Sequence, residues 1–261
     1  MKAHRTAIID PKAELDDDVE IGPYAIIEEG TRIGAGCRIM SHAVIKTGTR
    51  MGRNNIVHHG AALGDTPQDI KFGFEESFLT IGDGNIIREY ATLHRASGEG
   101  NETVIGDECM LMAQTHVAHN CRVGNKVVMA NLATLGGFVE VEDRVFFGGV
   151  SGAHQFVRVG TMAMVGGGSM LFEDVPPYMT AAGGYRPIIC GLNTIGLLRA
   201  ELDPESRSEL KKAYRIMYKS GCGPLEEMIQ RLGEQLKPVP EVKHLIEFLS
   251  KTKRGISAGR A

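Results

Sequence analysis

An apolar side chain recurs at every sixth position through roughly the first two-thirds of the chain. Ile9, Leu15, Ile21, Ile27, Ile33, Ile39, Ile45, Met51, Val57 and Leu63 follow one another without a break, and Ile81, Ile87 and Leu93 resume the series. A second run comprises Ile105, Leu111, Val117, Val123, Met129, Leu135, Val141, Phe147, Ala153, Val159, Val165 and Leu171. A period of this kind decides the fold before any single element is assigned. Two positions earlier the residue is small or β-branched, as at Ala25, Thr31, Ala43, Thr115 and Ala133; one position later glycine is frequent, as at Gly22, Gly34, Gly106 and Gly124. A hexad is too short for a helix-turn-helix unit. It suits one short strand and a sharp corner, where glycine relieves the backbone. Three hexads close a triangular coil whose apolar and small positions fill a prism. With strands about 4.8 Å apart, nine or ten coils make a parallel β-helix about 45 Å long. The competing architecture, a sandwich, places its turns about every 8 to 12 residues and irregularly.

The period breaks at about residues 65–79 (DTPQDIKFGFEESFL) and 97–103 (SGEGNET), which are expected to leave the prism as loops. External loops on a rigid scaffold are frequent places for binding residues. After Pro187 the spacing turns helical: Leu210, Ala213, Tyr214, Met217; Leu225, Met228, Ile229, Leu232; and Val242, Leu245, Ile246, Leu249 each lie at i, i+3, i+4, i+7. Asp203 and Pro204 start the first of these helices, Gly221 suits its end, and Pro238 and Pro240 separate the last two. A shorter helix is expected near residues 193–202. The chain thus divides into a β-helix over 1–187 and a helical domain over 188–261.

Positive and negative residues are mixed, with a formal charge of -3, so the bulk balance does not point to nucleic acid. No apolar run has the length of a signal peptide core or a membrane span, and a cytoplasmic address is expected. Five cysteines (Cys37, Cys109, Cys121, Cys190, Cys222) contain no CxxC pair and are read as buried thiols.

Chemistry-bearing residues concentrate in the segment Met112 to Cys121. With Val117 inward, His119 falls near a coil corner, and a step of three hexads places Gly137 on the next coil. A histidine base beside an unobstructed glycine N–H suits transfer to a carbonyl carbon, the N–H holding the oxyanion. On residue types alone, a solvent-facing histidine and a turn glycine are the better reading. Hexapeptide-repeat proteins include zinc carbonic anhydrases, so His59, His116 and His119 are the ligands to test; zinc needs three or four that converge.

The strings GDTPQDIK (Gly64 to Lys71), LHRA (Leu93 to Ala96), HVAHNCRVGN (His116 to Asn125), NLATLGG (Asn131 to Gly137), HQF (His154 to Phe156), DVPPY (Asp174 to Tyr178) and GLNTIGLLR (Gly191 to Arg199) occur in this order. Together they resemble the acyl-carrier-protein:UDP-N-acetylglucosamine O-acyltransferases that open lipid A biosynthesis, over essentially the whole chain. The resemblance implies a left-handed coil. It implies transfer of an (R)-3-hydroxyacyl group from acyl carrier protein to the sugar 3-hydroxyl, without a cofactor or metal. By the same match His119 is the general base and Gly137 supplies the oxyanion N–H. Gln68, Asp69 and Lys71 with His116 would contact the sugar and the pantetheine or acyl segment. His154, Gln155, Asn193 and Arg199 would face the uridine diphosphate, and Gly167 would leave the acyl groove open to a longer chain. The family is a homotrimer with sites between neighbouring prisms. A basic run (Arg199, Arg207, Lys211, Lys212, Arg215, Lys219) suits steering of acidic acyl carrier protein, and a solvated helix face explains it as well.

The chain departs from the family pattern at Asn120, where relatives often carry aspartate, at Phe138, where they carry histidine, and at Ile195 and Ala200 near the uridine site. These departures leave room for a UDP-sugar with a 3-amino group, giving an amide. A later N-acyltransferase of the same pathway begins with a separate uridine-binding domain, for which a repeat starting near residue 7 leaves no space. A non-catalytic scaffold would keep the ladder without His119 and the loop motif.

Overall fold

The structure, a computed structural model, describes residues 2–219 and 223–259. The hexads fold as short strands separated by tight corners, and strands three hexads apart pair in parallel, as in Glu20 with Arg38 and Val117 with Leu135. The described residues form three sheets of eleven, nine and eight strands, the faces of a left-handed parallel β-helix. Face A begins at Lys2–Ala3, face B at Ile8–Ile9 and face C at Glu14–Leu15. Where a loop intervenes the register widens: Ile56 pairs with Ile86, five hexads on, and Thr92 with His116, four hexads on. The first loop thus inserts two extra hexads and the second loop one. Because both insertions are whole hexads, the inward phase survives them.

The repeat positions are the core. Ile27, Ile45, Leu63, Leu93, Val117 and Leu135 stack inside face B, with the small layer Ala25, Ala43, Ala61, Ala91, Thr115 and Ala133 beside them, all buried. Coils approach so closely that a Cβ at Gly124 would stand 2.9 Å from the Asp143 amide nitrogen. Polar ladders tie the corners. Asn85 N donates to Asn55 Oδ1 at 2.8 Å, Cys109 N donates to Asn85 Oδ1 at 2.7 Å, and Asn55 Nδ2 donates to the Gly82 carbonyl at 2.8 Å. Asn55 and Asn85 are fully buried. A second ladder climbs the corner between faces C and A: Asp83 N to Asp107, Asp107 N to Asn125 and Asn125 N to Asp143.

The outer surfaces differ. Face C carries charge, with Arg32 paired to Glu14 at 3.0 Å and Arg158 to Glu140 at 3.2 Å. Face A presents the apolar alternates Ile56, Ile86, Met110, Val128, Phe146 and Met164 outside its inward row. Tyr24, Tyr90, Leu132 and Val150 stand exposed along the corner between faces A and B.

The loops occupy residues 66–77 and 95–101, because Asp65, Phe78, Thr103 and their neighbours continue as strand. At the far end an antiparallel hairpin, Met179–Ala182 with Ile188–Leu192, joins face A, so residue 187 lies between its two strands. Four helices follow: α1 (Thr194–Arg199), α2 (Pro204–Tyr218), α3 (Leu225–Gln235) and α4 (Pro240–Ser250). Asp203 caps α2 by accepting from Ser206 N, and the predicted apolar stripes are its buried side. His244 of α4 reaches Glu142 of the prism at 2.9 Å and Tyr178 at 2.9 Å. Cys37, Cys109 and Cys121 are buried, but Cys190 is exposed because it points outward from the terminal hairpin strand. Gly221 and Cys222 lie outside the described residues.

Asn55→Ala is expected to cost about 3 kcal/mol, since it leaves the Asn85 N–H and the Gly82 carbonyl without those partners in the interior. Urea unfolding at fixed protein concentration reads this; a loss below about 1 kcal/mol would mean the ladder is not needed.

Candidate functional site

His119 stands at the corner between faces B and C, one turn after the strand His116–Val117. The next residue, Asn120, takes the left-handed conformation that the corner demands (φ 58°), which asparagine tolerates better than most side chains. Its amide is pinned from the second loop: Ser97 N donates to Oδ1 at 2.9 Å, and Nδ2 donates to the Ser97 carbonyl at 3.0 Å. The same Oδ1 lies 2.9 Å from His119 Nδ1. An oxygen that only accepts requires Nδ1 to carry the proton. His119 Nε2 is therefore the free lone pair.

Gly137 sits directly on the next coil. A Cβ there would stand 2.7 Å from His119 Cε1 and Nε2, so any side chain would displace the imidazole. Gly137 is buried, and among the described residues no acceptor takes its N–H. Gln155 follows one coil further along the same column, and His154 beside it packs on Phe172 at 5.6 Å between ring centroids. Phe138 meets the His119 ring edge-on at 5.3 Å and stacks on Phe156 at 4.9 Å. Position 138, expected from the family resemblance to depart from a histidine, thus places an aromatic wall beside His119.

The two loops meet here. Glu75 accepts from Gly98 N at 2.6 Å and from Gly73 N at 2.8 Å, and Ser97 Oγ donates to Asp69 at 3.3 Å. The Lys71 amide holds the Asp69 carboxyl below its ordinary range, and nearby His119 and the Ser97 hydroxyl add to this. Gln68 and Lys71 are exposed at the loop tip beside the fully exposed Ile70. Below His119, His116 Nδ1 bonds Thr92 Oγ1 at 2.7 Å and its ring meets His94 at 4.9 Å. His94 is a site neighbour that sequence reasoning missed; it follows the hexad position Leu93 and is buried, its Nδ1 without a partner among the described residues. His59, the third residue tested for zinc, is at the corner between faces A and B, away from His116 and His119.

Other expected residues lie elsewhere on the chain. Asn193 and Arg199 stand at the corner between faces C and A, where they line a cleft of about 270 Å³ with Lys126, Arg144, Met162, Gly196 and Ala200. Asn193 spends its side chain on structure: Oδ1 caps α1 by accepting from Gly196 N at 3.0 Å, and Nδ2 donates to the Met162 carbonyl at 2.9 Å. One chain does not bring this cleft to His119. Gly167 is on the corner between faces A and B, above Gly149, so two successive coils carry no side chain there. Of the basic run, Lys212 is paired with the buried Glu209 at 2.6 Å, while Lys211 is exposed.

Burial, followed by the neighbouring imidazoles of His94 and His119, pushes the His116 pKa down to about 4. The unfolded chain binds that proton near pH 6.5 while the folded chain refuses it. Stability therefore falls as pH drops from about 6.5 to about 4, and this contribution is exhausted below. His116→Gln is expected to flatten the decline in urea midpoint between pH 7 and pH 4.5; an unchanged decline refutes the assignment.

Residues 174–257 match the family described as UDP N-acetylglucosamine O-acyltransferase, domain 2, and residues 102–137 match bacterial transferase hexapeptide repeats. The acyl-[acyl-carrier-protein]:UDP-N-acetylglucosamine O-acyltransferase of Thermodesulfovibrio yellowstonii is 47% identical over 254 residues, covering 97% of this chain and 98% of that protein. Its counterpart in Janthinobacterium sp. (strain Marseille) is 41% identical over 258 residues, with 97% and 98% covered. Among solved structures, LpxA from Acinetobacter baumannii superposes with a TM-score of 0.93 at 38% identity over 99% of both chains. The UDP-N-acetylglucosamine acyltransferase of Campylobacter jejuni gives 0.92 at 37%, covering 99% of this chain and 100% of the other. Full-length identity at this level, with the same coil and the same helical tail, means that the chain belongs to the acyl-[acyl-carrier-protein]:UDP-N-acetylglucosamine O-acyltransferase family.

Proposed function

We propose that the chain transfers an (R)-3-hydroxyacyl group from the thioester of acyl carrier protein to the 3-hydroxyl of UDP-N-acetylglucosamine, the first step of lipid A biosynthesis. The observation that carries this reading is the pinned His119, whose free Nε2 faces a glycine with an uncommitted N–H. Nε2 takes the proton from the sugar 3-hydroxyl as its oxygen attacks the thioester carbonyl. The carbonyl oxygen becomes an oxyanion, which accepts from Gly137 N–H. Collapse breaks the C–S bond, and the imidazolium returns the proton to the departing pantetheine thiolate. The proton and group balances close, so the step calls for no cofactor. Cys121 is not needed as a nucleophile: burial pushes its thiol up to about 12.

Gln68, Asp69 and Lys71 would hold the sugar and the pantetheine or acyl segment from the loop, with His116 below. Asp69 is already drawn to this corner by Ser97. His154 and Gln155, from the coils above, would face the uridine diphosphate together with Asn193 and Arg199. These last two must then come from a second copy. The apolar outer side of face A and the exposed Tyr24, Tyr90, Leu132 and Val150 support a homotrimer with that corner on its axis. Face A of one copy then covers face B of the next, and the His119 corner meets the neighbour's Arg199 corner. The reading carries a cytoplasmic address, and no helix among the described residues is long and apolar enough to cross a membrane.

A 3-amino UDP-sugar is the second reading. Asn120 favours it: a neutral amide orients His119 but adds no negative charge to stabilise imidazolium, and an amine needs less help from a base. Incubation with hydroxyacyl carrier protein and each UDP-sugar, followed by product mass, separates them. His119→Ala is expected to lower kcat about a thousandfold on the true acceptor, as loss of a general base does. Transfer to neither sugar by the wild type overturns the acyltransferase reading.

Gly167 is not in the left-handed region, and a Cβ there would meet only Gly149 backbone, its carbonyl oxygen at 3.3 Å and its amide nitrogen at 3.9 Å. Gly167→Met should therefore fold and block the far end of the acyl groove. In competition assays it is expected to shift preference to shorter hydroxyacyl chains; an unshifted profile would remove Gly167 from that role.

A further inference from the structure

The cleft at the corner between faces C and A holds more positive charge than the sequence motifs account for. Arg199 comes from the end of α1, Arg144 from a prism corner, and Lys126 from the same corner one coil earlier. Among the described residues neither the Arg144 nor the Arg199 guanidinium has a hydrogen bond or ion pair, and both are exposed. Lys126 has only Glu108, at 3.5 Å and with both side chains largely in water, a pairing that contributes little. Three cations thus line one small cleft whose own wall holds no carboxylate, while Asp107, Glu108 and Asp143 line the adjoining cleft with Lys126 and Arg144 and leave Arg199 without an anion.

The cleft is held rigid. Asn193 ties α1 to the Met162 carbonyl, and a side chain at Gly196 would collide with the Asn193 amide. Arg144 N donates to the Asn125 carbonyl at 2.8 Å, in the left-handed conformation (φ 57°) that turns its side chain out of the corner. At about 270 Å³ the cleft falls below the roughly 300 Å³ at which pockets begin to enclose whole ligands, so it suits one charged part of a larger molecule.

We propose that Arg144, together with Lys126 and Arg199, binds the diphosphate of a nucleoside-diphosphate sugar, Arg144 supplying a guanidinium that the α1 motif alone does not. This rests on the acyltransferase reading above and deepens it. A diphosphate concentrates two negative charges in a compact group, which three cations match, whereas the single phosphodiester of a pantetheine arm does not need them. A guanidinium fork fits phosphate oxygens in pairs, so lysine at position 144 is an incomplete replacement.

The test measures UDP binding by calorimetry, and the KM values for UDP-sugar and for acyl carrier protein in the transfer assay. Arg144→Ala is expected to weaken UDP about tenfold, the lower end for a hydrogen bond to a charged group at a water-exposed site. The KM for UDP-sugar should rise by a similar factor, with the KM for acyl carrier protein unmoved. Inhibition by uridine, which lacks the phosphates, should not change. Ala200 lines the same cleft. Adding Ala200→Arg to Arg144→Ala should therefore recover most of the loss, which a merely structural role for Arg144 would not allow. Unchanged UDP affinity in Arg144→Ala, beside a wild type that binds UDP and acylates its sugar, overturns the role of Arg144 alone. A rise in the carrier KM in place of the sugar KM also overturns it. A wild type that neither binds UDP nor acylates a UDP-sugar removes the acyltransferase reading and this inference together.

Discussion

Each coil is bonded to the next by main-chain ladders such as His116 N to the Ala133 carbonyl at 3.0 Å and Ala118 N to the Leu135 carbonyl at 3.1 Å, and these bonds hold only while successive coils stay in register by whole hexads. The apolar stack depends on that register, because a slip of one residue would turn Val117 and Leu135 outward and His116 and Thr134 inward. The site depends on it too. His119 and Gly137 are neighbours because one coil separates them, not because any contact between them draws them together. The two loops are accommodated because they add whole hexads, so neither disturbs the coils above it.

Corners impose a second constraint. The same position of successive turns takes the left-handed conformation whatever residue occupies it: Asn120, Phe138 and Phe156 on the His119 corner, and Leu132 and Val150 on another. For a β-branched residue such as Val150 this is strained, by about 1 to 3 kcal/mol. The ladder above and below outweighs the strain. A functional result is that side chains at these positions stack in columns. Phe138 is carried onto the His119 ring, and Phe156 onto Phe138. Asn120, at the foot of the column, is carried to where Ser97 can orient it.

The coil was legible because its signal repeats: more than twenty inward positions obey one period, and the helical tail changes period cleanly after Pro187. The juxtaposition of His119 and Gly137 was legible for the same reason, as a step of three hexads. What the period could not show were contacts made outside it. Nothing in SGEGNET announces that Ser97 bonds both amide atoms of Asn120, or that Glu75 joins the two loops, since those bonds cross between segments of irregular backbone. His94 was hidden by its place in a strand, and Cys190 by a terminal hairpin that the hexad pattern does not describe. Arg144 had a signal that was not used: positions 126, 144 and 162 form one column by the same step that paired His119 with Gly137, and the cleft follows that column.

A rod of this kind has little capacity to close around a substrate. Every coil is bonded on both sides and filled inside, so a hinge would have to break several ladder bonds at once. Under the proposed reading, orientation must therefore be built in before substrate arrives. The Ser97–Asn120–His119 chain does this for the base, and the ridge of Gly136 and Gly137 does it for the oxyanion. What remains adaptable is the tip of the first loop, where Gln68, Ile70 and Lys71 stand in solvent on a base tied down by Asp69 and Glu75. The cleft proposed for the diphosphate is tied to the prism by Asn193 and lies on another corner. In a homotrimer of the proposed kind, the distance between catalytic corner and cleft would be set by how copies of the prism pack, which would make the apolar outer faces part of the substrate-measuring apparatus.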